Sequence, residues 1–374
     1  MIYMDNAATT KIKKEVLDEM MPYLTENYGN PSSLYKIGYE SKNAILNAKS
    51  IIAKTINSNI KDIYFTSGGS ESDNWAIRGV LELCKNKGKH IITSKIEHHA
   101  ILNTCKYLEK HGYEVTYLDV DENGIIRLNE LKKAIRPDTI LISIMFANNE
   151  IGTIQPIKEI GKLAKKHKII FHTDAVQSYG HIDIDVRKLN INLMSVSGHK
   201  IHASKGVGFL YSNIPLEPLI FGGKQQDCKR AGTENVASIV GLGKACEIVC
   251  TDIENRENKI KNLRNYMWDK LKDIFKNNII LNGSYDKRLA NNINVCFNSK
   301  LTGETLQILL GDEDIYVSTG SACMSGDLEP SHVLKAIKVS DDIINNSLRF
   351  TLSEDNTTEE IDIVIDTLKK CVQL

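Results

Sequence analysis

Short runs of β-branched and aromatic residues recur along the first part of the chain, separated by longer stretches of mixed polarity. Runs of this length and composition predict β-strands, and most of the intervening stretches are long enough to form helices. Regular alternation of strands and helices favours a mostly parallel sheet that is covered by helices on both faces. The predicted strands are Ile63–Thr66, His90–Ser94, Tyr113–Leu118, Ile140–Phe146, Ile169–His172, Leu193–Ser197 and Val207–Tyr211.

The pattern changes after Ala237, where helices dominate and strands become sparse. The predicted elements of this part are a helix through Cys250, a charged helix within Asp252–Phe275, strands at Asn292–Phe297 and Leu348–Leu352, and a capped helix at Thr357–Lys370. The chain has 374 residues, and single cores stop growing at about 250–300 residues. We therefore expect an α/β protein with a large domain over residues 15–250 and a smaller α+β domain built from residues 1–14 and 251–374.

Composition and charge exclude several classes of protein. Hydrophobic residues make up 42% and charged residues 25% of the chain, which is ordinary for a globular protein. Lys plus Arg and Asp plus Glu both number 47, so no net field would attract nucleic acid or an anionic membrane. The chain also lacks a long apolar run and a secretory signal. We expect a cytoplasmic protein that contacts neither nucleic acid nor membrane.

The eight cysteines are scattered and include no C-x-x-C pair, which favours reduced thiols over disulfides. His172 and His202 lack ligand spacing around them, and Cys246 and Cys250 lie one helical turn apart in an apolar stretch. A structural role explains all four residues better than metal binding does. We expect no metal site.

Two predicted strands end in polar residues that suit one particular cofactor. The first strand runs into His172–Gln177 and the second into Ser197–Lys200. Ligands of open α/β sheets lie at the carboxyl ends of strands, so both tips can meet one ligand. Pyridoxal phosphate requires a lysine amine and an acid that keeps its ring nitrogen protonated. Lys200 and Asp174 fit these roles, Gln177 could donate to the phenolic oxygen of the ring, and Ser197 and His199 could bind phosphate.

The segment Phe65–Asn74 carries an apolar strand through two glycines into the start of a helix that is rich in Ser and Asp. Backbone N–H groups at such a helix start bind phosphate, and Gly69 and Ser70 are the expected contacts. Taken alone, the turn is explained equally well as an N-cap. Its combination with the lysine tip makes it informative.

Further motifs occur in order along nearly the whole chain: Tyr3–Thr10, Asn30–Ser33, Thr66–Asn74, Glu97-His98, Asn148–Gly152, Asp174–Gln177, Ser197–Lys200, Arg230–Val236, Ser318–Cys323 and Arg349. With these motifs the sequence resembles the NifS/IscS-like cysteine desulfurases of the class V aminotransferase family. The resemblance implies the aminotransferase type I fold, a homodimer, pyridoxal 5'-phosphate as cofactor, and conversion of L-cysteine to L-alanine.

The resemblance also implies roles for individual residues. His98 would stack on the cofactor ring and assist proton transfer, and Asn149 and Arg349 would hold the substrate carboxylate. Thr233 would reach the cofactor phosphate from the partner subunit. Cys323 would take the sulfur as a persulfide and deliver it to an acceptor protein, either an iron–sulfur scaffold or a tRNA-thiolating enzyme. The role of Arg349 is chemically reasonable, because arginine binds a carboxylate through two parallel hydrogen bonds.

Some positions depart from the family pattern and leave alternatives open. Lys224 and Gln226 interrupt a glycine-rich motif, and Cys228 stands where glycine is usual. Cys228 is either a neutral replacement in a loop or a second thiol that handles sulfur or helps to bind a metal. Tyr35 stands where histidine is common, and Ala203-Ser204 replaces Gly-Pro. A selenocysteine lyase or a class V aminotransferase is the alternative enzyme. A degenerate, non-catalytic assembly platform is the alternative of another class.

Overall fold

The computed structural model describes residues 1–319 and 330–372. The strands are β1 (Ile2–Tyr3), β2 (Ile63–Thr66), β3 (His90–Ser94), β4 (Glu114–Leu118), β5 (Thr139–Ser143), β6 (Ile170–Asp174), β7 (Leu193–Ser197), β8 (Gly208–Ser212), β9 (Ile279–Leu281), β10 (Asn292–Phe297), β11 (Ile315–Tyr316) and β12 (Ser347–Thr351). The helices are α1 (Lys14–Thr25), α2 (Lys36–Thr55), α3 (Gly69–Leu83), α4 (His99–Glu109), α5 (Leu128–Ala134), α6 (Ile157–His167), α7 (Gln225–Cys228), α8 (Val236–Cys250), α9 (Ile253–Phe275), α10 (Gly303–Asp312), α11 (His332–Ala336) and α12 (Thr358–Val372).

The main sheet has the strand order β2-β8-β7-β6-β5-β3-β4. Within the described residues, β8 is the one strand of this sheet whose direction is opposite to that of all the others. Strands β3, β5, β7 and β8 are buried throughout, as expected when helices cover both faces. The prediction of a mostly parallel sheet flanked by helices is therefore confirmed.

Two strands that support the site differ from the sequence prediction at their ends. Strand β5 ends at Ser143 and not at Phe146, although Ile144 and Phe146 still donate their N–H groups to the backbone of β6. These residues stay buried and apolar, so periodicity alone could not separate them from the strand. Strand β6 continues to Asp174, which places that carboxyl at the last strand residue.

A second group of elements surrounds a smaller sheet of order β12-β10-β9, whose strands are antiparallel. Its apolar cluster joins residues from β10, β12, α9, α10 and α12, together with Met4. Strand β1 pairs in parallel with β11, so the N-terminal segment belongs to this part of the molecule. Four later residues, Val333, Leu334, Ile337 and Ile344, instead pack with the cluster of the main sheet. The domain boundaries drawn from the sequence stay a prediction.

None of the helices within residues 1–319 and 330–372 is long and apolar enough to span a membrane.

Candidate active site

The carboxyl ends of the central strands open into a cavity of about 850 Å³. Its walls come from the main sheet, the N-terminal segment and β12. Sequence-predicted residues that line it are Gly69, Ser70, His98, Asn149, Asp174, Gln177, Ser197, His199, Lys200 and Arg349. Thr233 is exposed and does not line this cavity, and Cys323 lies outside the described residues. The structure thus brings together the residues predicted from widely separated motifs.

Asp174 ends β6 and is nearly buried, with 6% of its surface exposed. One carboxyl oxygen, Oδ1, accepts the N–H of Val176 at 2.9 Å. Burial raises the pKa of Asp174 to about 6, and the bond from Val176 and the positive charge of Lys200 limit this rise. The two lowering contributions favour a carboxylate at the floor of the cavity.

Lys200 ends the short turn Gly198–Lys200 that follows β7. Its Nζ donates to the carbonyl oxygens of Ala7 and Ala8 at 2.5 and 2.7 Å. The side chain of Gln177 donates to the same Ala7 oxygen at 3.0 Å. The N-terminal segment therefore fixes the amine and the neighbouring amide side chain through one carbonyl.

His98 is the N-cap of α4, and its Nδ1 accepts the N–H of Ala100 at 3.1 Å. Burial, followed by the charges of His99 and Lys200, lowers the pKa of His98 to about 4. The imidazole is therefore neutral near neutral pH.

The start of α3 lines the cavity with the N-terminus of a helix. Its first backbone N–H groups have no partner within the helix, and the helix dipole favours negative charge there. Gly68 has φ +148°, in the region that favours glycine, and a Cβ on Gly69 would lie 2.8 Å from Cγ2 of Val176. Only glycine at position 69 leaves room for the close approach that Val176 imposes. Ser70, Ser197 and His199 line the same cavity.

Arg349 lies on β12 and is 3% exposed. Its Nη1 donates to the carbonyl oxygen of Asn149 at 2.9 Å, and its Nη2 donates to Oδ1 of Asp5 at 2.7 Å. Its Nε is buried and has no hydrogen-bond partner among the described residues. The guanidinium is thus held from two sides and retains an unused donor.

A neighbouring turn shapes the wall beside Arg349. The side chain of Asn148 accepts the N–H groups of Glu150 and Ile151 at 2.9 and 3.0 Å and donates to the carbonyl oxygen of Ile96. This network fixes the backbone of the loop that presents Asn149. The motif Asn148–Gly152 is therefore explained by its local hydrogen bonding.

The sequence matches the family model described as aminotransferase class-V over residues 2–364. The chain belongs to the class-V aminotransferase family. A cysteine desulfurase IscS from Methanosarcina thermophila is 54% identical over 374 residues, covering 100% of this chain and 92% of that protein. A protein of the same name from Clostridium botulinum is 50% identical over 376 residues, covering 100% of this chain and 94% of that protein.

Solved structures agree with this assignment. A NifS-like protein superposes with a TM-score of 0.93 at 37% identity, covering 100% of this chain and 99% of its own. A NifS-like protein from Rickettsia africae gives 0.90 at 31% identity, with full coverage of both chains. The structure described as SspA in complex with cysteine gives 0.83 at 38% identity, covering 96% and 100%. The family resemblance and the aminotransferase fold predicted from the motifs are confirmed.

Several acidic groups at the site were not singled out from the sequence. Asp73 and Glu150 line the cavity and are buried, and Glu97 is buried directly before His98. Burial raises the pKa of Glu97 to about 8 and that of Glu150 to about 7. Burial and the charge of Asp174 raise the pKa of Asp73 well above its ordinary value. All three lie inside or beside family motifs, but their burial follows from tertiary packing.

Residues after the undescribed segment also contact the site. The hydroxyl of Ser331 donates to Oε2 of Glu150 at 2.5 Å and accepts the N–H groups of Val333 and Leu334. Ring nitrogen Nε2 of His332 lies 3.0 Å from the carbonyl oxygen of Glu97. These bonds fix the chain at the point where it returns from the segment that contains Cys323.

Hydrogen bonds support structural roles for His172 and His202, whereas the role of Cys228 stays open. His172 is buried between the hydroxyls of Ser143 and Ser195, and burial lowers its pKa to about 3. His202 contacts the carbonyl oxygen of Lys11. Cys228 is exposed and has φ +62°, a backbone conformation that explains why glycine is usual there. Across residues 1–319 and 330–372 no group of three or more His, Cys, Asp or Glu side chains could hold a metal ion.

Proposed function

We propose that the protein is a pyridoxal-phosphate-dependent cysteine desulfurase that converts L-cysteine to L-alanine and retains the sulfur as a persulfide on Cys323. The relatives that match along the full chain carry the name cysteine desulfurase. The observation that carries the proposal is the convergence of Lys200, Asp174 and Arg349 on one cavity. These side chains supply an amine, a buried carboxylate and a carboxylate-binding guanidinium.

The residues present fit pyridoxal phosphate. The first turn of α3, with Gly69 packed against Val176, suits a phosphate, and Ser70, Ser197 and His199 supply further donors. Asp174 would hold a proton at the ring nitrogen, and Gln177 would donate to the phenolic oxygen. When bound, the cofactor supplies an aldehyde for the Lys200 amine and a ring that withdraws electrons.

The protein groups have separate tasks in this reaction. Arg349 and Asn149 orient the substrate carboxylate, while the Lys200 amine and the neutral imidazole of His98 accept and return protons. The Cys323 thiolate attacks the substrate sulfur, forming an S–S bond as the substrate C–S bond breaks. The electron pair of the broken bond stays with the β-carbon of the substrate. This carbon takes a proton and becomes the methyl group of the alanine that is released.

The proposal includes a homodimer. Large apolar side chains are exposed on α1, on α2, on the loop that joins them and on the segment before α7. They are Leu17, Met21, Leu24, Tyr28, Leu34, Tyr35, Tyr39, Ile220 and Phe221. Exposed apolar patches mark interaction surfaces. The family resemblance implies that in the dimer exposed Thr233 contacts the phosphate site of the partner subunit. Sedimentation of the purified protein at twice the mass of one chain would support the dimer, and a monomer would refute it.

The sulfur acceptor is proposed to be a protein in the cytoplasm, either an iron–sulfur scaffold or a tRNA-thiolating enzyme. A thiol-bound sulfur can pass to another thiol by exchange without any further cofactor. Transfer of labelled sulfur to a purified scaffold or to a purified thiolating enzyme would distinguish the two.

The activity is tested by incubating the purified protein with L-cysteine and measuring alanine, with mass spectrometry to find the thiol that gains ~32 Da, the mass of one added sulfur. Lys200→Ala should abolish alanine formation, and Cys323→Ser should abolish the persulfide. Lys205→Ala and Cys228→Ser, both at exposed positions, are matched controls that should behave like the wild type. A wild type that forms no alanine from L-cysteine would refute the proposal. In a parallel incubation with L-selenocysteine, selenide released faster than sulfide is released from L-cysteine would favour the lyase.

A further inference from the structure

Asp5 forms an ion pair with Arg349, the residue proposed to hold the substrate carboxylate. Its Oδ1 accepts from Nη2 of Arg349 at 2.7 Å, and the side chains are 16% and 3% exposed. A buried guanidinium is destabilising unless an opposite charge is paired with it. Asp5 therefore neutralises Arg349 before any substrate arrives.

The backbone around Asp5 is fixed, so the carboxylate cannot easily withdraw. Asp5 bridges to Thr351, two residues beyond Arg349 on β12. The N–H groups of Asn6 and Ala7 donate to the carbonyl and the hydroxyl of Thr351, at 3.3 and 2.9 Å. The side chain of Asn6 adds a bond to the same carbonyl at 2.8 Å. These bonds hold Asp5 beside the guanidinium.

The guanidinium still has capacity for a second carboxylate. A guanidinium carries five N–H donors, and the two bonds above use one N–H on Nη1 and one on Nη2 of Arg349, so each of these nitrogens keeps a second N–H. Arg349 lines the cavity. A substrate carboxylate bound there would share one cation with Asp5. Two carboxylates around one cation repel each other. The charge of Arg349 also acts on the buried carboxyl of Glu150, whose pKa it lowers.

We propose that Asp5 is a positioning residue that shares Arg349 with the α-carboxylate of the amino acid and keeps its affinity low enough for the product to leave. The inference rests on the proposed function. L-Cysteine and L-alanine carry the same α-carboxylate, so Arg349 cannot tell substrate from product. Binding both tightly would lower KM without raising kcat and would retain alanine. A fixed carboxylate beside Arg349 orients the guanidinium and weakens that binding.

Asp5→Asn in the cofactor-loaded enzyme tests this inference, because the amide oxygen still accepts from Arg349 and only the charge is lost. We expect KM for L-cysteine and the inhibition constant of L-alanine to fall together by on the order of tenfold, equivalent to about 1.4 kcal/mol. The value of kcat should not rise. Affinity for cysteamine, which lacks a carboxylate, should stay unchanged.

Glu354→Gln is the matched control. It removes one negative charge from a residue that bonds Lys13 and lies outside the cavity, and it should leave KM and alanine inhibition at wild-type values. If Asp5→Asn does not fold, judged by circular dichroism, Asp5→Ser removes the same charge and has the same expected result.

Equilibrium binding of L-alanine, measured by calorimetry, separates this inference from the proposed function. A wild type that binds alanine but produces none refutes the function, while the affinity of the Asp5 variant still decides the inference. Unchanged or weaker alanine binding in a folded Asp5 variant overturns the inference. Absence of alanine binding to the wild type overturns it too, since Arg349 would then receive no α-carboxylate.

Discussion

Glu97 provides a sharp test of the electrostatics beside the cavity. Its Oε1 accepts the hydroxyl of Ser94 at 2.6 Å, and both carboxyl oxygens lie 3.0 Å from the N–H of Met145. Burial nevertheless raises its pKa from an ordinary 4.5 to about 8. Full ionisation in the folded protein then costs about 5 kcal/mol more than in the unfolded chain, at 1.36 kcal/mol per pKa unit.

The sign follows from proton binding. Between its unfolded and folded pKa values, Glu97 holds more protons in the folded state, so stability is lost as pH rises through this range. Glu97→Gln resembles the protonated acid and cannot ionise. Relative to the wild type, the free energy of unfolding of Glu97→Gln should rise by roughly 3 kcal/mol between about pH 6 and about pH 9.

Urea unfolding at both pH values, with the same cofactor content, measures this difference. The other buried acids are common to both proteins and cancel in the comparison. Glu254→Gln, at an exposed position on α9, should show a pH-independent offset from the wild type. A constant offset for Glu97→Gln as well would refute the assignment of Glu97 as an acid that is protonated in the folded protein.

Three further substitutions test the surroundings of the site. Arg349→Lys should raise KM for L-cysteine by on the order of tenfold or more in steady-state kinetics, because an ammonium cannot reproduce the planar donor fork. Ser331→Ala removes the cap of α11 and the bond to Glu150, and should lower the free energy of unfolding by about 1–2 kcal/mol in urea. Thr351→Val leaves the N–H of Ala7 without its side-chain acceptor, and should cost about 1–3 kcal/mol in the same assay.

The sequence predicted the main sheet well because its strands are short apolar runs that end at polar residues. Strands β2, β3 and β7 of this sheet begin and end at the predicted residues, as does β10 of the smaller sheet. Strands β1 and β11 contain two residues each and β9 contains three, so none carries a readable period. Their pairing depends on contacts between distant parts of the chain, which single-sequence patterns do not report.

The residues of the candidate site likewise include some that the sequence predicts and some that it does not. Asp174 and Lys200 were predictable because each follows a strand, and strand ends of one sheet meet at one edge. The ion pair of Asp5 with Arg349 joins residues 344 positions apart in the sequence. The sequence around either residue does not predict it. The buried acids were missed for a related reason, since a glutamate next to a strand is exposed more often than buried.

The N-terminal segment contacts both the lysine amine and the arginine guanidinium of the cavity. The carbonyl of Ala7 accepts from both Lys200 and Gln177, and two residues earlier Asp5 accepts from Arg349. The amine and the guanidinium are therefore spaced by a short stretch of main chain that is fixed to β12. Because the distance between these groups must match one amino-acid substrate, a shift of this segment would disturb both together, whereas a change at either group alone would leave the other in place.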